Sequence, residues 1–211
     1  MKKNVNELQL ADIVPEYNSS FFLVRNLFRK RIEEAIAFSE LTNTTVALDV
    51  GCGVGILMEQ IHEICPDCKL YGIDINVNVN RLNIPNCDFR VEDVTKLGFA
   101  EDFFDIVYAL DTLEHIENIT DALNEIRRVL KPGGQFIVSG PTENFFYKFC
   151  RFLIKGTFSE KEGPGAGAHL HTINGLDERI RAAGFQRKES VYLPKYSPLI
   201  LFKLFNYVNR K

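Results

Sequence analysis

Long apolar runs are missing from this chain of 211 residues. No stretch approaches the ~20 residues a helix needs to cross a bilayer, so a transmembrane helix is not expected. The first residues, Met1-Lys2-Lys3-Asn4-Val5-Asn6-Glu7, lack the apolar core of a secretory signal, and a cytoplasmic setting is expected. A basic excess is missing too. Lys and Arg number 25 against 28 Asp and Glu, a net charge of −3, which argues against non-specific nucleic-acid binding. Cysteine is sparse: Cys52, Cys65, Cys68, Cys87 and Cys150 are expected as reduced thiols. Cys65 and Cys68 form a lone C-x-x-C, with no second pair to complete a zinc site and no thioredoxin-like context. Internal repeats and low-complexity segments are absent.

What remains is enough for one substantial α/β domain: the hydrophobic fraction is 45%. Residues 4–42 read as helical, with Val24, Leu27, Phe28, Ile32, Ala35 and Ile36 on one face. From Val46 the pattern alternates. Strands are predicted at Val46–Val50, Lys69–Ile73, Cys87–Val91, Phe103–Leu110 and Gln135–Ser139. Helices are predicted from about Val54 to Ile64 and after a Thr120-Asp121 cap, the latter stopped by Lys131-Pro132-Gly133-Gly134. A further helix over Gly175–Ala183 and a sixth strand over Gly184–Leu193 follow. Lys203, Asn206 and Arg210 make a polar stripe at helical spacing, which favours a helix over 199–210. Alternation of this kind implies a parallel sheet with right-handed crossovers, whose ligands bind beyond the carboxyl ends of the strands. Those ends hold Gly51–Gly55, Asp74, Asp93, Leu110–Asp111 and Gly140–Pro141.

The first of these ends is the most informative. Leu48-Asp49-Val50-Gly51-Cys52-Gly53-Val54-Gly55 is a strand running through a glycine turn into a helix. A dinucleotide turn wants Gly or Ala where Ile56 stands, and no Gly-Lys-Ser/Thr follows to make a phosphate loop. The stretch instead resembles the first motif of the class I S-adenosylmethionine-dependent methyltransferases. Four further pieces agree in order and spacing. They are Tyr71-Gly72-Ile73-Asp74-Ile75, Val91-Glu92-Asp93-Val94, Phe104-Asp105-Ile106-Val107 with Leu113-Glu114-His115-Ile116, and Leu123 through Ser139. The likeness covers about residues 45–193.

The resemblance implies an α/β, Rossmann-like fold with a mostly parallel seven-stranded sheet of order 3-2-1-4-5-7-6, in conflict with a helix at 199–210. It implies an N-terminal helical cap (1–44) on a transferase domain (45–211) with a substrate-side insertion at 142–171. The implied cofactor is S-adenosylmethionine, with S-adenosylhomocysteine as product. Asp74 would sit at the ribose, with Ile75 beside it in the cofactor site, Asp93 and Val94 at the adenine edge, and Asp49, Gly51 and the Leu110 carbonyl at the methionine end. Cys52, Gly53 and Gly55 complete the turn. Asp111, Glu114 and His115, with His169 or His171, resemble a metal-coordinating pattern of some ubiquinone-biosynthesis and small-RNA methyltransferases. Those use Glu where Asp111 stands, so no metal is expected. His115, His169 and His171 are the candidates for a general base acting on a hydroxyl, which favours an oxygen acceptor.

The expected acceptor is a small or lipid-like molecule. The insertion carries Phe145, Phe146, Phe149, Phe152 and Leu153 on one helical face, and with the basic tail it offers a peripheral membrane contact through 143–155 and 195–211. The rival readings are a non-catalytic binding protein of the same fold and an RNA methyltransferase, which would need a basic groove from Arg25, Arg29, Lys30, Lys148 and Arg151. No specific nucleic-acid partner is expected. Asp74→Ala is expected to weaken cofactor binding by about 1.5–3 kcal/mol, roughly ten- to hundredfold, as read by calorimetry.

Overall fold

A computed structural model describes residues 22–142, 144 and 169–211. Helix α1 spans Phe22–Ala37 and is followed by strand β1 (Val46–Val50), helix α2 (Ile56–Ile64) and strand β2 (Lys69–Asp74). A short 3-10 turn at Val77–Arg81 precedes β3 (Cys87–Val91) and β4 (Phe104–Leu110). A second 3-10 turn, Leu113–His115, leads to α3 (Ile119–Val129) and β5 (Leu130–Pro141). The chain then ends with α4 (Ile173–Ala182), β6 (Phe185–Leu193) and β7 (Phe202–Asn209).

The seven strands form one sheet of order β3-β2-β1-β4-β5-β7-β6. The pairs β3–β2, β2–β1, β1–β4 and β4–β5 are parallel, while β7 runs antiparallel to both β5 and β6. Central strands of such a sheet are covered on both faces and read as apolar runs. Residues of β1 accordingly divide by parity. Leu48 and Val50 join Val107, Phe136 and Val138 in the core with Leu123, Ile126 and Ile180 of α3 and α4. Ala47 joins Ile106, Tyr108 and Ile137 in the core with Ile32, Ala35, Met58 and Ile61 of α1 and α2. Helix α3 buries Ala122, Leu123, Ile126 and Val129, the spacing that aligns one face. Arg128 near its C-terminus donates to the carbonyls of Leu97 and Phe99, at 3.0 and 2.8 Å.

One expectation is overturned. Residues 202–209 form a buried strand, not a helix. The stripe of Lys203, Asn206 and Arg210 fits a helical period, but burial splits the segment by parity, the arrangement of a strand covered on both faces. Phe202 and Leu204 enter the core with α1 and α2, while Phe205 and Tyr207 enter the core with α3 and α4. The Asn206 amide donates to Phe38 O at 3.4 Å, while its Oδ1 is buried without a partner. The expected membrane contact through 195–211 therefore loses residues 202–209. Smaller shifts are matters of boundary. β5 begins at Leu130, which pairs with Phe104 ahead of a bulge, and α3 starts after Asn118 rather than Thr120. The predicted helix over 4–21 and the aromatic face at 145–153 lie outside the described residues.

Tyr207 shows what the antiparallel strand contributes to stability. Its buried hydroxyl donates to Asp177 Oδ1 at 2.9 Å, and Asp177 Oδ2 also accepts from Arg181 and Arg187. Burial and the Asp177 carboxylate push the Tyr207 phenol up, so the donor stays protonated. Tyr207→Phe is expected to lower stability by about 1 kcal/mol, a fall in Tm of roughly 2–4 °C for a chain of this size, measured by thermal denaturation.

Candidate active site

The turn after β1 is held open by backbone chemistry. The N–H groups of Gly51 and Cys52 both donate to Ile73 O, at 2.8 and 3.0 Å. Gly51, Gly53 and Gly55 all have positive φ, at 73°, 53° and 80°, the region that favours glycine. Gly55 occupies the N-cap position of α2. A Cβ on Gly51 would lie 2.5 Å from Thr112 Cγ2, so the turn after β4 abuts this one with no room for a side chain. The Thr112 hydroxyl in turn donates to Val50 O at 3.0 Å and Leu110 O at 3.3 Å. On the other side, a Cβ on Gly72 would meet the Phe89 ring at 2.6 Å and Cys52 Sγ at 3.0 Å. Cys52 is buried in that slot, where burial pushes its thiol up and keeps it neutral.

Acceptors surround the turn. Asp74 Oδ2 accepts the Gly53 N–H at 2.9 Å and Oδ1 accepts the Asn76 N–H at 2.8 Å. The half-buried Asp74 therefore both braces the glycine turn and keeps further lone pairs for a ligand hydroxyl. Ile75, directly after it, is 79% exposed, an apolar side chain standing at a strand end. Asp93 Oδ1 accepts the N–H and hydroxyl of Thr95, both at 2.9 Å, and Val94 is buried beside it. Asp49 is buried on β1. Burial first, then the Asp74 charge, raises its carboxyl well above the ordinary carboxylate range. A buried acid in that state is stabilised in its charged form by an arriving cation.

The polar groups beyond β4 divide into two sets. Asp111 has φ 53° and is fastened to its neighbours. It pairs with Arg31 of α1, accepts the Ser139 hydroxyl at 3.0 Å, and donates its N–H to Ser139 O at 3.1 Å. The second set is Glu114, His115 and His169, whose ligand atoms all lie within 4.8 Å of one another. The rings of His115 and His169 meet edge to face with centroids 4.9 Å apart. The Leu170 N–H donates to Glu114 O at 2.7 Å, and His171 Nε2 donates to Ile116 O at 3.0 Å. Asp111 is thus separated from the carboxylate–histidine cluster, His169 joins it, and His171 is tied to backbone.

Arg31 was missed in the sequence, although a signal was available. It lies three residues after Phe28 and four before Ala35, a charge within the apolar face of α1. Its guanidinium sits 4.7 Å from the Phe28 ring and 5.2 Å from the Phe202 ring. Glu34, one turn on, is also buried and meets Lys195 Nζ at 2.7 Å. Together these pairs dock α1 against the carboxyl edge of the sheet.

A mostly parallel sheet of this order, with a left-handed glycine turn after its first strand and acids after the next two, defines a class I methyltransferase-type fold. Residues 48–138 match the family described as a methyltransferase domain. A sterol 4-C-methyltransferase of Caenorhabditis elegans is 31% identical over 148 residues, covering 61% of this chain and 44% of that protein. The UbiE ubiquinone/menaquinone biosynthesis C-methyltransferase of Desulfotalea psychrophila is 27% identical, covering 65% and 64%. Phosphoethanolamine N-methyltransferase 1 of Triticum aestivum is 29% identical, covering 65% and 28%. The chain thus spans less than two thirds of the length of these relatives. Among solved structures, a Haloferax volcanii methyltransferase in complex with the Trm112 activator superposes with a TM-score of 0.69 at 16% identity, covering 89% and 93% of the two chains. The chain thus has the fold of these methyltransferases, and its residues 48–138 are similar to a methyltransferase domain.

Arg31→Met is expected to release α1 from the site, because it strands Asp111 beside the site without its cation, at a cost of about 3 kcal/mol. Hydrogen exchange in 22–37 should accelerate while exchange in β1 and β4 stays slow.

Proposed function

We propose that the chain transfers a methyl group from S-adenosylmethionine to a small or lipid-like acceptor. The observation that carries this reading is the bare left-handed turn at Gly51–Gly55 with Asp49 and Asp74 set around it. When bound, the cofactor supplies a methyl group on a sulfonium, and it leaves as S-adenosylhomocysteine. Asp74 would accept its ribose hydroxyls, a charge-assisted interaction. Ile75 would cover the adenine face, with Asp93 and the Val94 N–H at its edge. Asp49, Gly51 and the Leu110 carbonyl would hold the methionine end, where a cationic amine meets the buried acid. Displacement at an activated methyl is helped chiefly by alignment of donor and acceptor. Residues 1–44 would act as a cap and 45–211 as the transferase domain, in the cytoplasm.

The acceptor class draws on relatives named for sterol, quinone and phosphoethanolamine methylation, all small molecules. An oxygen acceptor is supported only by the histidines. His115 is exposed beside His169, and the pair is suited to taking a proton from a hydroxyl. Glu114 with the same two histidines is also a three-ligand set for a divalent cation. Loss of transfer in EDTA that is restored by a cation would replace the base reading with this one.

Label transfer from methyl-tritiated cofactor to fractionated extract tests the proposal. Label is expected in small-molecule or lipid fractions; label confined to RNA, or cofactor binding with no transfer to any fraction, would sink it. The raised carboxyl of Asp49 makes a second outcome. A cation drawn beside it lowers that pKa, so binding releases a proton and affinity rises with pH up to the ligand-free pKa. Calorimetry with S-adenosylhomocysteine in buffers of different ionisation enthalpy is expected to show this release, and Asp49→Asn to abolish it.

A further inference from the structure

We propose that the carboxyl-edge rim made by the start of α1 and the β6–β7 loop docks on an anionic phospholipid bilayer. Its purpose rests on the lipid-like acceptor proposed above, while the surface itself is argued from the rim.

The placement follows from strand direction. β7 pairs with β5 so that Phe202 opposes Pro141, and with β6 so that Phe202 opposes Leu193. The 194–201 loop therefore leaves the sheet at the edge that holds Gly51–Gly55 and Asp111. Helix α1 runs against the parallel strands: Arg31 meets Asp111 at that edge, while Phe38 O accepts from Gln135 Nε2 near the start of β5. At 1.5 Å per residue, Phe22 stands about 13 Å further along the axis than Arg31, beyond the edge. The Lys195–Glu34 pair at 2.7 Å and the Phe28–Phe202 ring contact at 5.3 Å hold loop and helix together.

Exposed apolar side chains are distributed one-sidedly. The described residues include eight large ones: Phe22, Ile64, Ile75, Val91, Leu170, Tyr192, Tyr196 and Leu199. All but Ile64, at the far end of α2, belong to strand ends, loops or the helix start at the carboxyl edge. Tyr196 is fully exposed at φ 62°, and Leu199 is 46% exposed in the same loop. Four of them, Phe22, Tyr192, Tyr196 and Leu199, belong to the helix start and to the end of β6 with its loop, whereas Ile75 and Val91 stand at the ends of β2 and β3 across the sheet; scattered exposed apolar residues need no explanation, but four at one rim do.

Charge selects the occupant. Leaving out the buried, paired Arg31, residues 22–34 and 190–203 carry five basic side chains, Arg25, Arg29, Lys30, Lys195 and Lys203, against Glu33 and the buried Glu34, on a chain of net charge −3. Arg25 lies 5.9 Å from the Phe22 ring and Lys203 Nζ lies 5.4 Å from the Tyr192 ring. An aromatic ring beside a cation suits the boundary between acyl chains and phosphates. No described helix is long and apolar enough to cross a membrane, so contact by this rim is peripheral.

Cosedimentation of the full chain with vesicles tests the proposal, comparing phosphatidylcholine alone with phosphatidylcholine plus phosphatidylglycerol. Binding is expected to the anionic vesicles and to weaken with salt. The double variant Tyr196→Ser, Leu199→Ser is expected to bind at least about tenfold more weakly, with S-adenosylhomocysteine affinity retained as proof of an intact crevice. Absence of wild-type binding to either vesicle, or equal binding by the variant, would overturn the proposal. So would a wild-type dimer in sedimentation equilibrium that the variant lacks, since a second copy would then own the surface. Failure of the wild type to bind S-adenosylhomocysteine would count against the methyl-transfer reading and leave the vesicle result standing on its own.

Discussion

Ile73 O accepts two consecutive N–H groups, from Gly51 and Cys52, across the β1–β2 boundary. That shared acceptor curls the chain immediately after β1, and the curl requires left-handed residues at 51, 53 and 55. Most of the site depends on this geometry. The turn brings the Gly53 N–H onto Asp74, which positions the acid of the second strand. It presses Gly51 against Thr112, which couples the ends of β1 and β4. It also starts α2 at Gly55, whose open side is closed by Phe89, Ile84 and Leu82. The glycines therefore do different jobs. Gly51 makes room for a neighbouring turn, Gly55 and Gly72 make room for Phe89, and the backbone among them is left bare for a ligand.

The arrangement is acidic where a cationic cofactor would lie and fastened by cations elsewhere. Burial, and after it the Asp74 charge, hold the Asp49 carboxyl well above the ordinary carboxylate range. Asp111, by contrast, is neutralised by Arg31 and bonded to Ser139. One strand end is thereby left acidic, and the next anchors α1. The anchoring is buried and specific, since Arg31 also lies between two aromatic rings. Such an ion pair adds little net stability but defines one position for the helix over the crevice.

How legible all this was varies by residue. Strands one to five were readable because central parallel strands are unbroken apolar runs ending in glycine or acid. The sheet order, with a seventh strand in it, came through the family resemblance and not through periodicity. Phe202–Asn209 misled because Lys203 and Asn206, with Arg210 just beyond, fall on a helical stripe. Only burial on both faces distinguishes a strand from a helix here, and burial is a property of neighbours far away in the chain. Asp111 was grouped with Glu114 and His115 on proximity in sequence. Its positive φ and its partner 80 residues earlier turn it away from them.

The amino-acid sequence alone determined the local devices: the glycine turn, the acids at strand ends and the alternation of strand and helix. These are set by steric freedom and short-range periodicity, which neighbours in the chain suffice to specify. Tertiary structure alone decided the partners. It paired Arg31 with Asp111, gathered Glu114, His115 and His169, and turned seven exposed apolar side chains toward one edge. Each of these joins residues tens of positions apart or more, and only the closed sheet, with its fixed strand directions, brings them within reach.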